Sequence, residues 1–265
     1  MTVDSGFADL TGRTVLVTGA GQGVGRAIAV RSAQRGATTV VNDFHRSRAE
    51  DVADEIKAQG GNAYPIQCDV TDFGDVTAMV DQVRQRLGVV DVLVNNAGNA
   101  GPVTVNPLDQ KPFWETDPSE WTQWLGTNLF GVLNACRAVL PHMIDQNWGR
   151  IVSVISDAGR VGEASLAVYG GAKAGAAGLS RGLAKAVGRY SITVNCVALG
   201  TMNTGAVADL TGDPTTLKRL LAGYPIRRLG EPDDAANLIA FLASESASWI
   251  TGQTYPVNGG YSVAL

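Results

Sequence analysis

Short apolar runs alternate with longer amphipathic stretches along this chain, and that alternation sets the expected fold. Thr14–Val17 is an apolar run that breaks into the glycine-rich Thr18-Gly19-Ala20-Gly21-Gln22-Gly23-Val24-Gly25, followed by an amphipathic stretch from Arg26 to Arg35. Gly36 stops that helix, and Thr38–Asn42 is a second buried strand ending at Asp43. Helical patterns over Ala49–Gln59 and Gly74–Leu87 enclose a third strand, Ala63–Gln67, which ends at Cys68-Asp69-Val70. Val90–Val94 runs into Asn95-Asn96-Ala97-Gly98 as the fourth strand. A long helix over Glu120–Leu140 carries Asn128, and Arg150–Ile155 is a fifth strand ending at Ser156. A helix over Val168–Val187, a sixth strand Ile192–Ala198, a helix over Asp233–Leu242 and a last strand Gln253–Val257 complete the series.

Strands separated by helices require right-handed crossovers and a parallel sheet covered on both faces. The expectation is therefore an α/β, doubly wound, seven-stranded parallel sheet of the Rossmann type, in one domain spanning 1–265. No linker, repeat or low-complexity segment divides it.

The candidate chemistry gathers on one edge of this sheet. Gly19–Gly25, Asp69, Asn96–Gly98 and Ser156 all follow the C-terminal ends of expected strands, where open α/β sheets bind ligands. Strand, glycine turn and helix together place backbone N–H groups under a phosphate. Asp43 lies 24 residues past Gly19, where such a fold presents an acid to an adenine ribose. Tyr169 and Lys173 are four apart, so they share one helix face. A phenol titrates near ~10, and a fixed ammonium beside it favours the phenolate. A shift of ~3 units requires roughly 4 kcal/mol, more than an exposed ion pair supplies, so Lys173 is expected to be partly buried and assisted by a second cation.

Composition narrows the alternatives. Of 265 residues 45% are apolar, enough for a large core, but no run is long and apolar enough to span a bilayer. The first residues lack the basic-then-apolar pattern of a secretory signal. Cys68, Cys136 and Cys196 cannot all pair and show no metal-ligand spacing, so they read as buried cytosolic thiols. Two histidines make a structural zinc or a histidine triad a poor expectation. The net charge of −4, with no dense basic block, argues against nucleic acid or an anionic membrane as partner. Glycine is in excess, at 32 residues against about 7% in average proteins. That excess suggests backbone brought close to a ligand or to other backbone.

These segments together resemble the short-chain dehydrogenase/reductase family over essentially the whole chain. The matching residues are TGAGQGVG (Thr18–Gly25), CDV (Cys68–Val70), NNAG (Asn95–Gly98), Asn128, Ser156, YGGAK (Tyr169–Lys173), Asn195 and Thr204. The resemblance implies a nicotinamide dinucleotide held by Gly19, Gln22, Gly23, Val24, Gly25, Asp43, Asp69, Val70, Asn96, Ala97, Gly98, Gly200 and Thr204. It implies that Tyr169 exchanges a proton with the substrate oxygen and that Ser156 hydrogen-bonds that oxygen. Lys173 would grip the nicotinamide ribose and lower the Tyr169 pKa, Asn128 would hold a water leading from Lys173 to solvent, and Thr204 would bond the carboxamide. Asp43, with Gln22 and Phe44 at the places where NADP users carry a basic residue, points to NAD; Arg46 and Arg48 are the residues that could oppose this.

Structural readings stand beside these. Asn128 could cap or face solvent, and Asp69 could be only a turn former. Asn95 and Asn195 are expected to tie strands or loops together, and Asp157 and Glu163 to be surface carboxylates. Two features depart from the family pattern. Leu199-Gly200 stands where Pro-Gly is usual, so the loop from Leu199 to Gly205 is expected to be looser or redirected. The segment Asn99–Ser119 is longer than in small reductases and reads as a pocket wall, an oligomer contact or a tolerated surface insertion. Val161, Leu166, Val168, Leu199, Met202 and Asn99–Trp114 are the expected pocket walls. Mostly apolar, they suit 3-hydroxyacyl or 3-oxoacyl thioesters, or bulky cyclic and steroid-like alcohols. A non-catalytic dinucleotide sensor would lack Tyr169 or Lys173, and an extended sugar-nucleotide epimerase would need a larger C-terminal region. By analogy with the family, the apolar helix Trp121–Leu140 and the segment Tyr255–Leu265 suggest a homotetramer.

Overall fold

The computed structural model describes residues 6–98, 112–207 and 214–263. Seven parallel strands form one sheet in the order β3-β2-β1-β4-β5-β6-β7. They are β1 Thr14–Val17, β2 Thr38–Asp43, β3 Asn62–Gln67, β4 Val92–Asn95, β5 Gly149–Ser156, β6 Ile192–Leu199 and β7 Thr254–Val257. The chain starts at the centre, winds outward to β3, then returns to β4 and winds the other way. The switch point lies between β1 and β4, where a doubly wound sheet opens its crevice.

Period-two alternation builds two cores at once. Val15 and Val17 of β1 pack on one face and Leu16 on the other; in β5, Val152 and Val154 share the first face while Ile151 and Ile155 share the second. Helices α1 (Gly23–Gln34) and α2 (Arg46–Ala58) cover the first face, and α3 (Phe73–Leu87) lies on the second.

The expected long helix from Glu120 is three pieces. α4 (Pro118–Leu125) passes through a wide π turn, Gly126–Phe130, into α5 (Gly131–Asp145). Asn128 sits in that turn and its side-chain amide donates to the Trp124 carbonyl at 2.9 Å, where the backbone ladder changes register. Such π turns occur often at functional sites. Two further helices were not legible in the apolar pattern: a single turn, α6 (Ala158–Val161), and α8 (Pro214–Ala222), which follows α7 (Ala167–Val187). The last helix, α9 (Pro232–Ala243), packs on α1. Proline starts it, and Glu231 and Asp234 form a reciprocal cap. No helix among the described residues is long and apolar enough to cross a membrane.

Candidate active site

The glycine turn between β1 and α1 is tightly bounded. Gly19 has φ +61°, and a Cβ there would stand 2.8 Å from the Ala97 Cα. A Cβ on Gly25 would stand 2.1 Å from the Gly19 carbonyl oxygen and 2.4 Å from the Asn96 amide nitrogen. Only glycine lets the start of α1 approach the turn this closely. Asn96 fastens the turn from β4, its side-chain amide donating to the carbonyls of Thr18 (3.0 Å) and Gly19 (2.9 Å). The hydroxyl of Thr18 accepts from the backbone N–H groups of Asn96 and Ala97.

The α1 N-terminus carries neither a side-chain cap nor an acidic residue in its first turn. α3, α4 and α9 are capped by Asp72, Asp117 and Glu231, while α2 and α7 are uncapped like α1, so it is the glycine turn that sets α1 apart. Uncapped N–H groups above a glycine cradle suit an anion, so these residues fit the pyrophosphate of a dinucleotide. Gln22 is the residue immediately before α1, and Val24 lies in its first turn. Among the described residues no cluster of side chains suits a metal ion.

Asp43, at the end of β2, is buried. One carboxylate oxygen accepts from the Gly21 backbone N–H at 3.0 Å and the other from His45 N–H at 2.9 Å. Arg48 lies across this turn, its Cβ 2.5 Å from where a Cβ on Gly21 would be. Asp69 realises its turn-forming reading: one oxygen accepts from both the backbone and the hydroxyl of Thr71, at 2.9 and 2.8 Å. Val70 is buried beneath Gly131.

Ser156 ends β5 and Tyr169 and Lys173 project from α7; the Ser156 hydroxyl accepts from the Ala158 N–H at 3.2 Å and lies close enough to the Tyr169 phenol to favour its ionised form. Lys173 is 4% exposed, as its chemistry requires, and donates to the Val154 carbonyl at 3.0 Å. A Cβ on Gly98 would lie 3.3 Å from the Asn128 amide oxygen and 3.4 Å from the Lys173 Nζ. Fully buried Asn128 and buried Lys173 thus converge on one point beside the β4 loop.

The electrostatics of the pair agree with the need for burial and a second cation. Burial pushes the Tyr169 phenol above its ordinary value, and the Ser156 hydroxyl pulls back only part of that shift. Burial also draws the Lys173 ammonium down to about 8. Burial opposes both charges, so the lysine by its position alone does not lower the tyrosine, as the need for a second cation anticipates.

The pocket walls differ from those expected. Leu166 and Val168 line a groove beside Tyr169 together with Phe113, Trp121, Trp124, Thr116, Glu120 and Ser165. Trp124 meets the Tyr169 ring edge-on, and Phe113 stacks on Trp121 at 5.5 Å. Val161 and Leu199 do not line this groove, and Met202 packs into the core against Gly230. Trp121, Trp124, Thr116, Glu120 and Ser165 were not among the expected walls, and of these Trp124 touches Tyr169 directly. Its place four before Asn128, on the same helix face, is the signal that could have found it. Most of the long loop, 99–111, lies outside the described residues.

The loop after β6 is pinned rather than loose. Gly200 N–H donates to Val257, Thr201 is held by Tyr224, and Met202 bridges to Gly230. Thr204 comes within 3.4 Å of where a Cβ on Gly23 would stand, so its side chain faces the glycine turn. Asn95 bonds Ser153 and Asn195 ties β6 to the segment before β7, both in structural roles. Glu163 is exposed, but Asp157 is 3% exposed and bonded on several sides, so the surface reading of Asp157 was wrong.

A doubly wound sheet with an anion cradle at its switch point and a Ser-Tyr-Lys group on the same edge defines a nucleotide-binding oxidoreductase. The family model described as enoyl-(acyl carrier protein) reductase matches residues 19–262. The chain is 39% identical over 251 residues to the 3-oxoacyl-(acyl-carrier-protein) reductase FabG of Staphylococcus aureus, covering 94% of this chain and 97% of that one. A solved 7 alpha-hydroxysteroid dehydrogenase, complexed with NADH and 7-oxo glycochenodeoxycholic acid, superposes with TM-score 0.89 at 35% identity, covering 98% of each chain. A gluconate 5-dehydrogenase of Burkholderia cenocepacia, in complex with NADP and tartrate, superposes with TM-score 0.91 at 30% identity, covering 99% of this chain and 100% of the other. The chain belongs to the short-chain dehydrogenase/reductase family.

Proposed function

We propose that this protein is an NAD(H)-dependent oxidoreductase, a single cytoplasmic domain that interconverts a secondary alcohol and a ketone. The observation that carries this reading is the convergence of Ser156, at the end of β5, with Tyr169 and buried Lys173, one helical turn apart on α7. A bound nicotinamide supplies or accepts the hydride. Tyr169 gives a proton to the substrate oxygen in reduction and removes it in oxidation. Ser156 donates a hydrogen bond to the same oxygen. Lys173 holds the nicotinamide ribose, and the Asn128 amide oxygen beside its ammonium leads the proton path toward solvent. The turn Gly19–Gly25 holds the pyrophosphate, Asp43 the adenine ribose, Asp69 and Val70 the adenine side. Asn96–Gly98, Gly200 and Thr204 border the nicotinamide half.

An apolar substrate suits the aromatic groove beside Tyr169. A 3-oxoacyl thioester is the first candidate and a bulky cyclic or steroid-like ketone the second; relatives of both kinds are similar to this chain. Initial rates with acetoacetyl-CoA and a steroid ketone, using NADH and NADPH, decide among them. Tyr169→Phe keeps the ring and removes the proton, so kcat should fall by several orders of magnitude while dinucleotide affinity holds. Retention of more than about a tenth of turnover, roughly 1.4 kcal/mol of barrier, would contradict the acid/base role. If the wild-type chain bound dinucleotide yet turned over no carbonyl or alcohol, the sensor reading would prevail.

Exposed apolar side chains at separate places on the surface support a homotetramer with more than one two-fold contact. Phe130 and Leu133 stand three residues apart at the start of α5, and Trp249 and Val263, 97% and 83% exposed, lie before and after the last strand. Light scattering of a particle near the 27.6 kDa chain mass at micromolar concentration would overturn this.

A further inference from the structure

Asp157 is a buried carboxylate that the proton chemistry above does not use. It follows Ser156 directly, and its surroundings explain why it is buried. One oxygen accepts from the Arg160 guanidinium at 2.6 Å. The other accepts from the Asn258 amide at 2.6 Å and the Ser262 hydroxyl at 3.0 Å. Asn258 also donates to the Ser262 carbonyl at 2.9 Å, and its own oxygen accepts from Gly260 N–H. The segment 258–262 is thereby fastened to the end of the catalytic strand.

That segment in turn braces Tyr224. The Tyr261 ring stacks on Tyr224 with centroids 5.1 Å apart, and Gly259 accepts from Ile226 N–H. Tyr224 is 3% exposed, and its hydroxyl both accepts from Thr201 N–H at 2.9 Å and donates to the Thr201 Oγ1 at 2.8 Å. Three residues on, Thr204 faces the glycine turn at Gly23. A continuous set of contacts therefore runs from the carboxylate beside Ser156 to the loop above the dinucleotide cradle. A buried ion pair contributes little net stability, since apolar packing often replaces it without loss. Directional bonds do hold a loop in one position, and here the leucine in place of proline leaves the loop backbone without a fixed φ.

We infer that Asp157 and Tyr224 are positioning residues that hold the Thr201–Thr204 loop against the glycine turn and so set the affinity for the dinucleotide. This rests on dinucleotide binding by this chain and is independent of which alcohol it oxidises.

The test is a set of three variants, Tyr224→Phe, Thr201→Val and Asp157→Asn, each compared with the unaltered chain. Direct titration with NADH and NADPH, followed by quenching of tryptophan fluorescence, gives Kd. Thermal melts and saturated kcat are measured alongside. Tyr224→Phe and Thr201→Val should each raise Kd at least fivefold, with saturated kcat within twofold. The double variant should be no worse than Tyr224→Phe, because that change already removes both bonds to Thr201, of which Thr201→Val removes only the one to Oγ1. Asp157→Asn should raise Kd in the same direction. If Tyr224→Phe and Thr201→Val, folded by their melts, leave Kd within twofold, the inference is wrong. It is equally wrong if kcat falls as steeply as affinity weakens, or if the double variant is additive. If Asp157→Asn does not fold, the tyrosine and threonine variants alone decide. Failure of the unaltered chain to bind either dinucleotide would instead sink the proposed function.

Discussion

The indole of Trp124 meets the phenol ring of Tyr169 edge-on, with centroids 5.7 Å apart and planes inclined at 72°. The same residue's carbonyl holds the side-chain amide of Asn128. Trp124 thus touches Tyr169 with its ring and Asn128 with its backbone. An aromatic pair of this kind contributes about 0.5–1.5 kcal/mol beyond its burial, too little to explain a large rate effect by energy alone. Geometry is the larger lever, because a small misplacement of a reacting group costs orders of magnitude in rate.

Trp124→Ala should therefore lower kcat/KM by about tenfold or more, and Trp124→Phe should recover most of it by restoring the edge contact. The backbone bond to Asn128 survives in both variants. Steady-state kinetics with any accepted substrate checks this, and equal activity in the alanine and phenylalanine variants would show that the ring contact is incidental.

Asp43 is the residue expected to decide cofactor choice. A 2′-phosphate at ~4 Å from its carboxylate costs roughly 4 kcal/mol at an effective dielectric of 20, less after screening. A tenfold preference needs only ~1.4 kcal/mol. NAD(H) is expected to be preferred at least tens-fold in kcat/KM, and Asp43→Ala should narrow the gap. The carboxylate also accepts the Gly21 N–H, so this variant should weaken binding of both dinucleotides to some degree. Arg48, standing over Gly21, is the residue that would serve NADP instead. Equal or better rates with NADPH on the unaltered chain would show that Arg48 prevails.

Lys173 should give stability a distinctive pH dependence. Burial lowers its pKa from 10.5 to about 8, so its charge is unfavourable in the folded state. Below pH 8 folded and unfolded chains both carry the proton, and the cost is fully present. Between about 8 and 10.5 only the unfolded chain holds it, so this group's contribution to stability rises with pH through that window. Lys173→Met should be more stable than the unaltered chain at pH 7, by up to roughly 3 kcal/mol. The gap should shrink as pH approaches 10. Denaturant midpoints at pH 7 and 9.5 test the sign, and a gap that does not change with pH would refute it.

The apolar runs by themselves determined the seven strands, the helices between most of them, and the edge on which chemistry collects. Strand alternation and the four-residue spacing of Tyr169 and Lys173 are local geometry, so they are legible without a fold. The glycine turn is legible for the same reason: tight approach and positive φ leave few residue choices. Tertiary structure decided what depends on distant partners. Asp157 looked like a surface carboxylate because Asn258, which helps bury it, lies 101 residues away. Met202 looked like a pocket wall until Gly230 drew it into the core. The loop after Leu199 looked loose because the hydroxyl that pins it belongs to Tyr224. The neighbouring lysine is visible in the sequence, but the burial that raises the Tyr169 phenol, against which that lysine and a second cation must work, is not. Burial and long-range pairing are properties of the packed chain, and they set the electrostatics of this site.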